Sequence, residues 1–361
     1  MRIDAHVFGA SSVGVFTGNR GGSGLLAQNL VAMKRRLSMR AVALVLLASL
    51  ASFAAARPAI AQNGLTELTF ALVAPGTAGW PLILAESQGF YKDEGIAVTM
   101  IVGGTPPNVV SQVATGAVNL GANGCDSEIV AIAHQLPIKI IAPMFSVNPY
   151  SLVVAPSIKT WADLKGKSVM LATKQDVTAI AFSAMAAAHN LKLDDFSIVI
   201  SGNSTERIAG LNSGNVQGAM LNEPYDLAAE AAGDRILGSA VDTTKDWAFA
   251  CIFANTGWAE KNRSLVVKFL RAVHRGMQYG YAHKAASVAA LVASAHIDPA
   301  IAARAWDIDF GKWKAYDPNL KLSPSGIAAV GKYQVGFGII PALPPMADLY
   351  DPSFAAEALK K

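Results

Sequence analysis

Four short stretches of this 361-residue chain gather polar side chains at spacings suited to holding a small molecule. Gly103-Gly104-Thr105 runs into a helical pattern, so its backbone N–H groups would meet an acceptor or an anion at a helix start. The same glycines also serve ordinary turn chemistry. Asn123-Gly124-Cys125-Asp126 closes a strand-like run and opens a helix, and Asp126 suits either an N-cap or a ligand contact. Thr173-Lys174-Gln175-Asp176-Val177-Thr178 sets Lys174 beside Asp176. That lysine can pair with a carboxylate or sulfonate, or stand solvated on the surface. Asn222 and Glu223 follow a further strand-like run. A buried glutamate needs a partner, which backbone groups or a ligand amine would supply. Trp80 offers a face for stacking on a planar ligand, or bulk for a core.

These residue types read as a binding set (Trp80, Gly104, Thr105, Asn123, Asp126, Thr173, Lys174, Asp176, Thr178, Asn222 and Glu223) rather than a catalytic one. The chain has no G-x-S-x-G elbow for a Ser/His/Asp hydrolase. His134, His189, His274, His283 and His296 fall within or at the ends of helical runs, without a second ligand type at a metal spacing, as exposed or capping histidines do. Cys125 and Cys251 are the only cysteines, too few for a zinc ribbon. Whether they pair depends on a Cα separation that spacing does not fix. The expectation is a non-enzyme without metal or cofactor.

The elements that would position these loops alternate. Strand-like runs at 68–73, 96–102, 119–122 and 138–142 are separated by helical patterns at 81–88, 108–115 and 127–134. After a strand at 151–155 the same grammar restarts, with strands at 168–172, 196–200 and 217–221 and helices at 177–189 and 205–211. A run at 248–255 would return the chain to the first unit, followed by a largely helical tail. The expected architecture is α/β, with two lobes joined by two crossing strands: lobe 1 over 62–155 and 248–361, lobe 2 over 156–247. Open α/β sheets take ligands at strand C-termini, which here means between the lobes.

Five blocks carry a resemblance. Trp80-Pro-Leu through Gly89-Phe-Tyr-Lys-Asp-Glu-Gly-Ile96, then Gly103-Gly104 with Val113-Ala-Thr-Gly-Ala-Val-Asn-Leu-Gly121, occur in that order. They are followed by Trp161-Ala-Asp-Leu-Lys-Gly-Lys-Ser-Val169, Ala209-Gly-Leu-Asn-Ser-Gly-Asn-Val-Gln-Gly-Ala219 and Asn222-Glu-Pro-Tyr225. Together they resemble the nitrate/sulfonate/taurine-type solute-binding proteins of ABC transporters and their thiamine-precursor-binding relatives. The resemblance implies a type II periplasmic-binding-protein fold. It also implies a monomer that closes on a sulfonate, aromatic carboxylate or pyrimidine-like molecule and delivers it to an ABC permease and its ATPase. Relatives often carry a Gly-Ser/Thr-rich anion loop where this chain has 173–178 without glycine, which counts against a sulfate- or nitrate-like ligand. The fold also hosts thiamine-pyrimidine synthases, whose yeast-type members carry a Cys-rich motif that this chain lacks, and ligand sensors for receptor kinases.

Lys34, Arg35, Arg36 and Arg40, the uncharged run 41–56 and Ala59-Ile60-Ala61 read as a secretory signal peptide cut after Ala61, hence a periplasmic product. The sixteen-residue run is short of the ~20 residues of a membrane span. The 32 residues before Met33 fit an over-extended start, with Met33 or Met39 as initiator. The leader through Ala61 holds seven of the 30 basic residues and one of the 26 acidic ones. The remainder is slightly acidic, which removes the support for a nucleic-acid partner.

Overall fold

The computed structural model describes residues 64–360, Pro75 and Lys245 excepted. The basic cluster, the apolar run and the expected cleavage site lie outside the described residues. None of the described helices is long and apolar enough to cross a membrane.

Two five-stranded sheets organise the chain. The first runs β2 (Ile96–Val102), β1 (Thr66–Leu72), β3 (Leu120–Gly124), β10 (Ala250–Asn255), β4 (Ile138–Phe145). β1 is parallel to β2 and β3, whereas β10 is antiparallel to both β3 and β4. The second runs β7 (Ser197–Ile200), β6 (Ser168–Leu171), β8 (Gly218–Leu221), β5 (Ser151–Val154), β9 (Arg235–Ser239). Both sheets thus repeat one plan: a parallel trio built from βαβ units, plus an antiparallel strand that leads to or from the other sheet.

Segments 146–150 and 240–249 make the two crossings. β5 pairs with β8 and β9, so Ser151–Val154 belongs to the second lobe. The expectation that lobe 1 continues to residue 155 is corrected by that pairing. The apolar run is the same, but only its hydrogen-bond partners reveal its sheet. Each crossing is a strand leaving one sheet and entering the other through irregular chain, with the short helix Ala240–Thr243 on the return. Tyr150 and Phe249 pack edge to face at 5.9 Å, bringing the two crossings together.

Lobe 1 packs Phe70, Tyr91 and Phe269 as a stack, with ring centroids 5.1 and 5.6 Å apart. The long helix Arg263–Ala282 crosses Trp80–Ser87 so closely at Gly276 that a Cβ there would strike the Pro81 carbonyl. Lobe 2 closes over Trp161, Phe182 and Phe196. A third apolar cluster belongs to neither sheet alone. Val177 and Ile180 of lobe 2 meet Trp247 of the return crossing and Ile327 and Val330 of the tail helix Pro324–Gly336. The tail is therefore a strut against both lobes.

Candidate functional site

The loops expected to bind are mostly spent on their own backbone. Gly104 is left-handed, and its N–H donates to the Val73 carbonyl at 3.2 Å. Thr105 is the N-cap of Pro106–Ala114. The next two positions are prolines without N–H groups, so this helix start has few donors to offer an anion. The anion cradle expected at Gly103-Gly104-Thr105 is corrected accordingly. Trp80 is also corrected: it is fully buried, its indole N–H donates to the Ser287 carbonyl at 2.9 Å, and its ring abuts Phe310. It is a core residue of lobe 1.

The lobe 2 loop follows the same logic. Asp176 caps Val177–Ala187, accepting from the Thr178 and Ala179 amides and from the Thr178 hydroxyl at 2.6 Å. The buried Thr178 hydroxyl in turn accepts from the Ala172 amide at 2.9 Å. Thr173 accepts from the Gln175 amide. Lys174 is exposed, with no ion pair among the described residues. On the facing lobe, buried Asn123 donates to the Pro106 carbonyl and accepts from the Gly124 amide, locking two lobe 1 loops together. Cys125 and Cys251 form a disulfide with Cα atoms 5.3 Å apart, which ties the start of helix Cys125–Ala133 to β10.

Asp126 and Asp176 meet across the lobe boundary. Burial and the Asp176 charge push the Asp126 carboxyl up to about 7, against the pull of the amides of Asp126, Ser127 and, from lobe 2, Val177. Glu128, two residues on, is fully buried with both carboxylate oxygens unpartnered, and burial holds it well above the carboxylate range.

A second acid cluster, unread in the sequence apart from Glu223, lies where β8 ends. Glu223, Asp226 and Asp309 are all 1 % exposed or less. Asp226 lies in the first turn of helix Tyr225–Ala231, and Asp309 sits in the π-helical turn Asp307–Lys312 of the tail. Asp226 is satisfied by Ser151 Oγ at 2.8 Å and the Leu227 amide. Burial lifts it to about 7, with Arg304 opposing. Glu223 Oε2 and Asp309 Oδ1 have no partner. Burial pushes both far up, and neighbouring acids add to it. Tyr316, buried beside them, donates to the Thr77 carbonyl at 2.6 Å, so the loop after β1 joins the same wall.

Asn222 links the cluster to a buried cation. Its Oδ1 accepts from Ser204 Oγ at 2.8 Å, and Ser204 Oγ accepts from Arg207 at 2.7 Å. Arg207 also donates to the Met220 and Ser201 carbonyls and lies 5.9 Å from the Tyr150 ring. Its guanidinium holds the wall rather than standing free. Asp226, Asp309, Arg207 and Tyr316 were missed because each becomes interesting only through burial. The one sequence signal was Asp226, three residues after Glu223 at the start of a helix.

None of the five described histidines enters either acid cluster. His189 stacks on Trp161, His283 on Tyr279, and His134 and His296 end helices. His274 lies near the Pro318 backbone, and burial lowers its imidazole.

Two α/β lobes, doubly connected and facing one another across strand C-termini, define a protein of the type II periplasmic-binding fold. A family model described as NMT1/THI5 like matches residues 77–287, more than half of the chain, and the chain belongs to that family. Among curated relatives it is 26% identical over 223 residues to a 4-amino-5-hydroxymethyl-2-methylpyrimidine phosphate synthase of Aspergillus parasiticus. That match covers 57% of this chain and 64% of the relative's length. Among solved structures it superposes on the ligand-binding component of an ABC-type import system from Staphylococcus aureus, at TM-score 0.71 and 13% identity. That superposition covers 82% of this chain and 99% of the other. The periplasmic aliphatic sulphonate binding protein SsuA from Escherichia coli gives TM-score 0.63 at 18% identity, covering 79% and 92%.

Proposed function

We propose that this protein is an exported, periplasmic solute-binding protein that closes its lobes on a small organic molecule and passes it to an ABC permease and its ATPase. Two neighbours with this fold, one the ligand-binding component of an ABC-type import system and the other a periplasmic sulphonate binding protein, support the class. The ligand is a nitrogen-rich molecule with N–H donors, pyrimidine-like rather than a sulfonate. One observation carries this choice: Glu223, Asp226 and Asp309 share a buried wall, with two carboxylate oxygens unpartnered. Amine and ring N–H groups would complete those oxygens. A sulfonate would add negative charge to a desolvated acidic wall.

The relatives named as pyrimidine phosphate synthases favour a second reading, a pyrimidine-forming enzyme. Both cysteines of this chain are held in one disulfide, so neither offers a thiolate for covalent chemistry.

A thermal-shift panel of aminopyrimidines, alkanesulfonates and aromatic carboxylates tests the proposal. A ligand at a hundredfold excess over Kd adds about 2.7 kcal/mol, or roughly 5–10 °C for a chain of this size. Aminopyrimidines should give that shift and Glu223→Gln should remove most of it. A shift from sulfonates alone would overturn the ligand assignment. A pyrimidine product formed by the purified protein and detected by mass spectrometry would overturn the binding-protein reading.

A further inference from the structure

A groove of about 540 Å³ runs along lobe 1 between helices Pro106–Ala114 and Cys125–Ala133. That volume is in the range of small-molecule sites. Its walls are apolar, from Val110 and Ala114 on one helix and Val130, Leu136 and Ile339 opposite. At one end the lining turns polar with Asp126, Asp176 and Gln334. The Glu223 cluster is not part of it.

Gln334 supplies the independent observation. It is 2 % exposed, and its Nε2 donates to the Asp126 carbonyl at 2.7 Å, which fixes the amide. Its Oε1 is buried without a partner. A fixed, unsatisfied acceptor beside two carboxyl groups wants N–H donors. The apolar walls behind it want hydrocarbon.

We infer that this groove is a second small-molecule site, one that takes an amphipathic amine: hydrocarbon between the two helices, ammonium against Gln334 and Asp126. The charge of the polar end selects a cation over a carboxylate of the same length. Its lining shares no residue with the ligand wall at Glu223, although Gln175 and Asp176 bring lobe 2 to its polar end.

The test titrates the full exported protein at pH 8 with n-hexylammonium, hexanoate and 1-hexanol, following methyl NMR signals of Val110, Val130 and Ile339. Hexylammonium should shift those methyls and bind at least tenfold more tightly than hexanoate. Ser111→Phe, an exposed groove residue away from the acid wall, should weaken binding at least tenfold by filling the groove. Gln334→Leu should weaken hexylammonium about fivefold while leaving hexanol within twofold. Equal affinity for amine and carboxylate, shifts confined to other methyls, or unchanged binding in Ser111→Phe would overturn the inference. So would the absence of any groove shift at 20-fold excess over protein and millimolar amine.

Discussion

The loop 172–178 and the wall around Glu223 both lie where the lobes meet, and both are rich in oxygen atoms. In the loop, the Asp176 carboxylate oxygen that caps the helix and the Thr178 hydroxyl each have a partner within the same seven residues. In the wall, the acids come from lobe 2 and from a tail more than eighty residues later, and two oxygens are left over. Residues that look like ligand contacts in a sequence are often polar because a turn needs them. Capacity for a ligand lies where tertiary packing has buried a polar atom without completing it.

The largest test of this contrast is Trp80→Ala. Loss of a buried tryptophan should cost about 3–5 kcal/mol of stability while the ligand-induced rise in Tm persists. If the rise disappears in the milder Trp80→Phe, the tryptophan belongs to the ligand wall after all.

Next is pH. Asp126 and Asp226 sit at about 7 in the folded state, against ~4 for an unfolded aspartate. Between those values the unfolded chain releases protons that the folded chain keeps, so ligand-free stability should fall as pH rises from about 4 through about 7. Glu223→Gln removes one acid from the Asp226 cluster. It should raise ligand-free stability at pH 7.5 by about 1–2 kcal/mol and flatten the Tm–pH curve. A steeper curve would show that the wall is compensated by charge in a way its hydrogen bonds do not reveal.

Thr178→Val comes third, with an expected loss of about 1–2 kcal/mol from one buried and one part-buried hydrogen bond and ligand affinity within threefold by calorimetry. Smallest is Lys174→Ala, within about 0.5 kcal/mol in stability and within twofold in affinity. A tenfold loss of affinity would return the 172–178 loop to the site.

Much of the fold was legible. The strand at Ile96–Val102 matches its expected limits, and most others fall within two or three residues. Apolar alternation and glycine turns are local signals, and these elements obey local rules. β9 at Arg235–Ser239 was not foreseen, since its burial is only partial and it pairs with β5 alone. The tail helix Pro324–Gly336 falls in the expected helical tail without limits of its own, although Ser323 caps it by accepting from the Gly326 amide at 3.0 Å. The site was less legible than the fold. Asn123, Asp126, Asn222 and Glu223 do lie at strand ends near the boundary, but the structure shows the first and third as braces for neighbouring loops. No pattern within twenty residues could join Glu223 to Asp309, because only the folded tail brings them together.

The place of β10 in the first sheet has a consequence for how the chain is made. It lies between β3 and β4, yet it is synthesised last of the ten described strands, after the whole second lobe. Until Asn255 has emerged, the inner edges of β3 and β4 have no neighbour, and open strand edges invite association with other chains. The second lobe, continuous from Ser151 to Ser239, has every strand it needs well before that. The lobe that begins first is therefore completed second, and a truncation upstream of Ala250 leaves it as the three-stranded sheet β2-β1-β3 with β4 unpaired beside it.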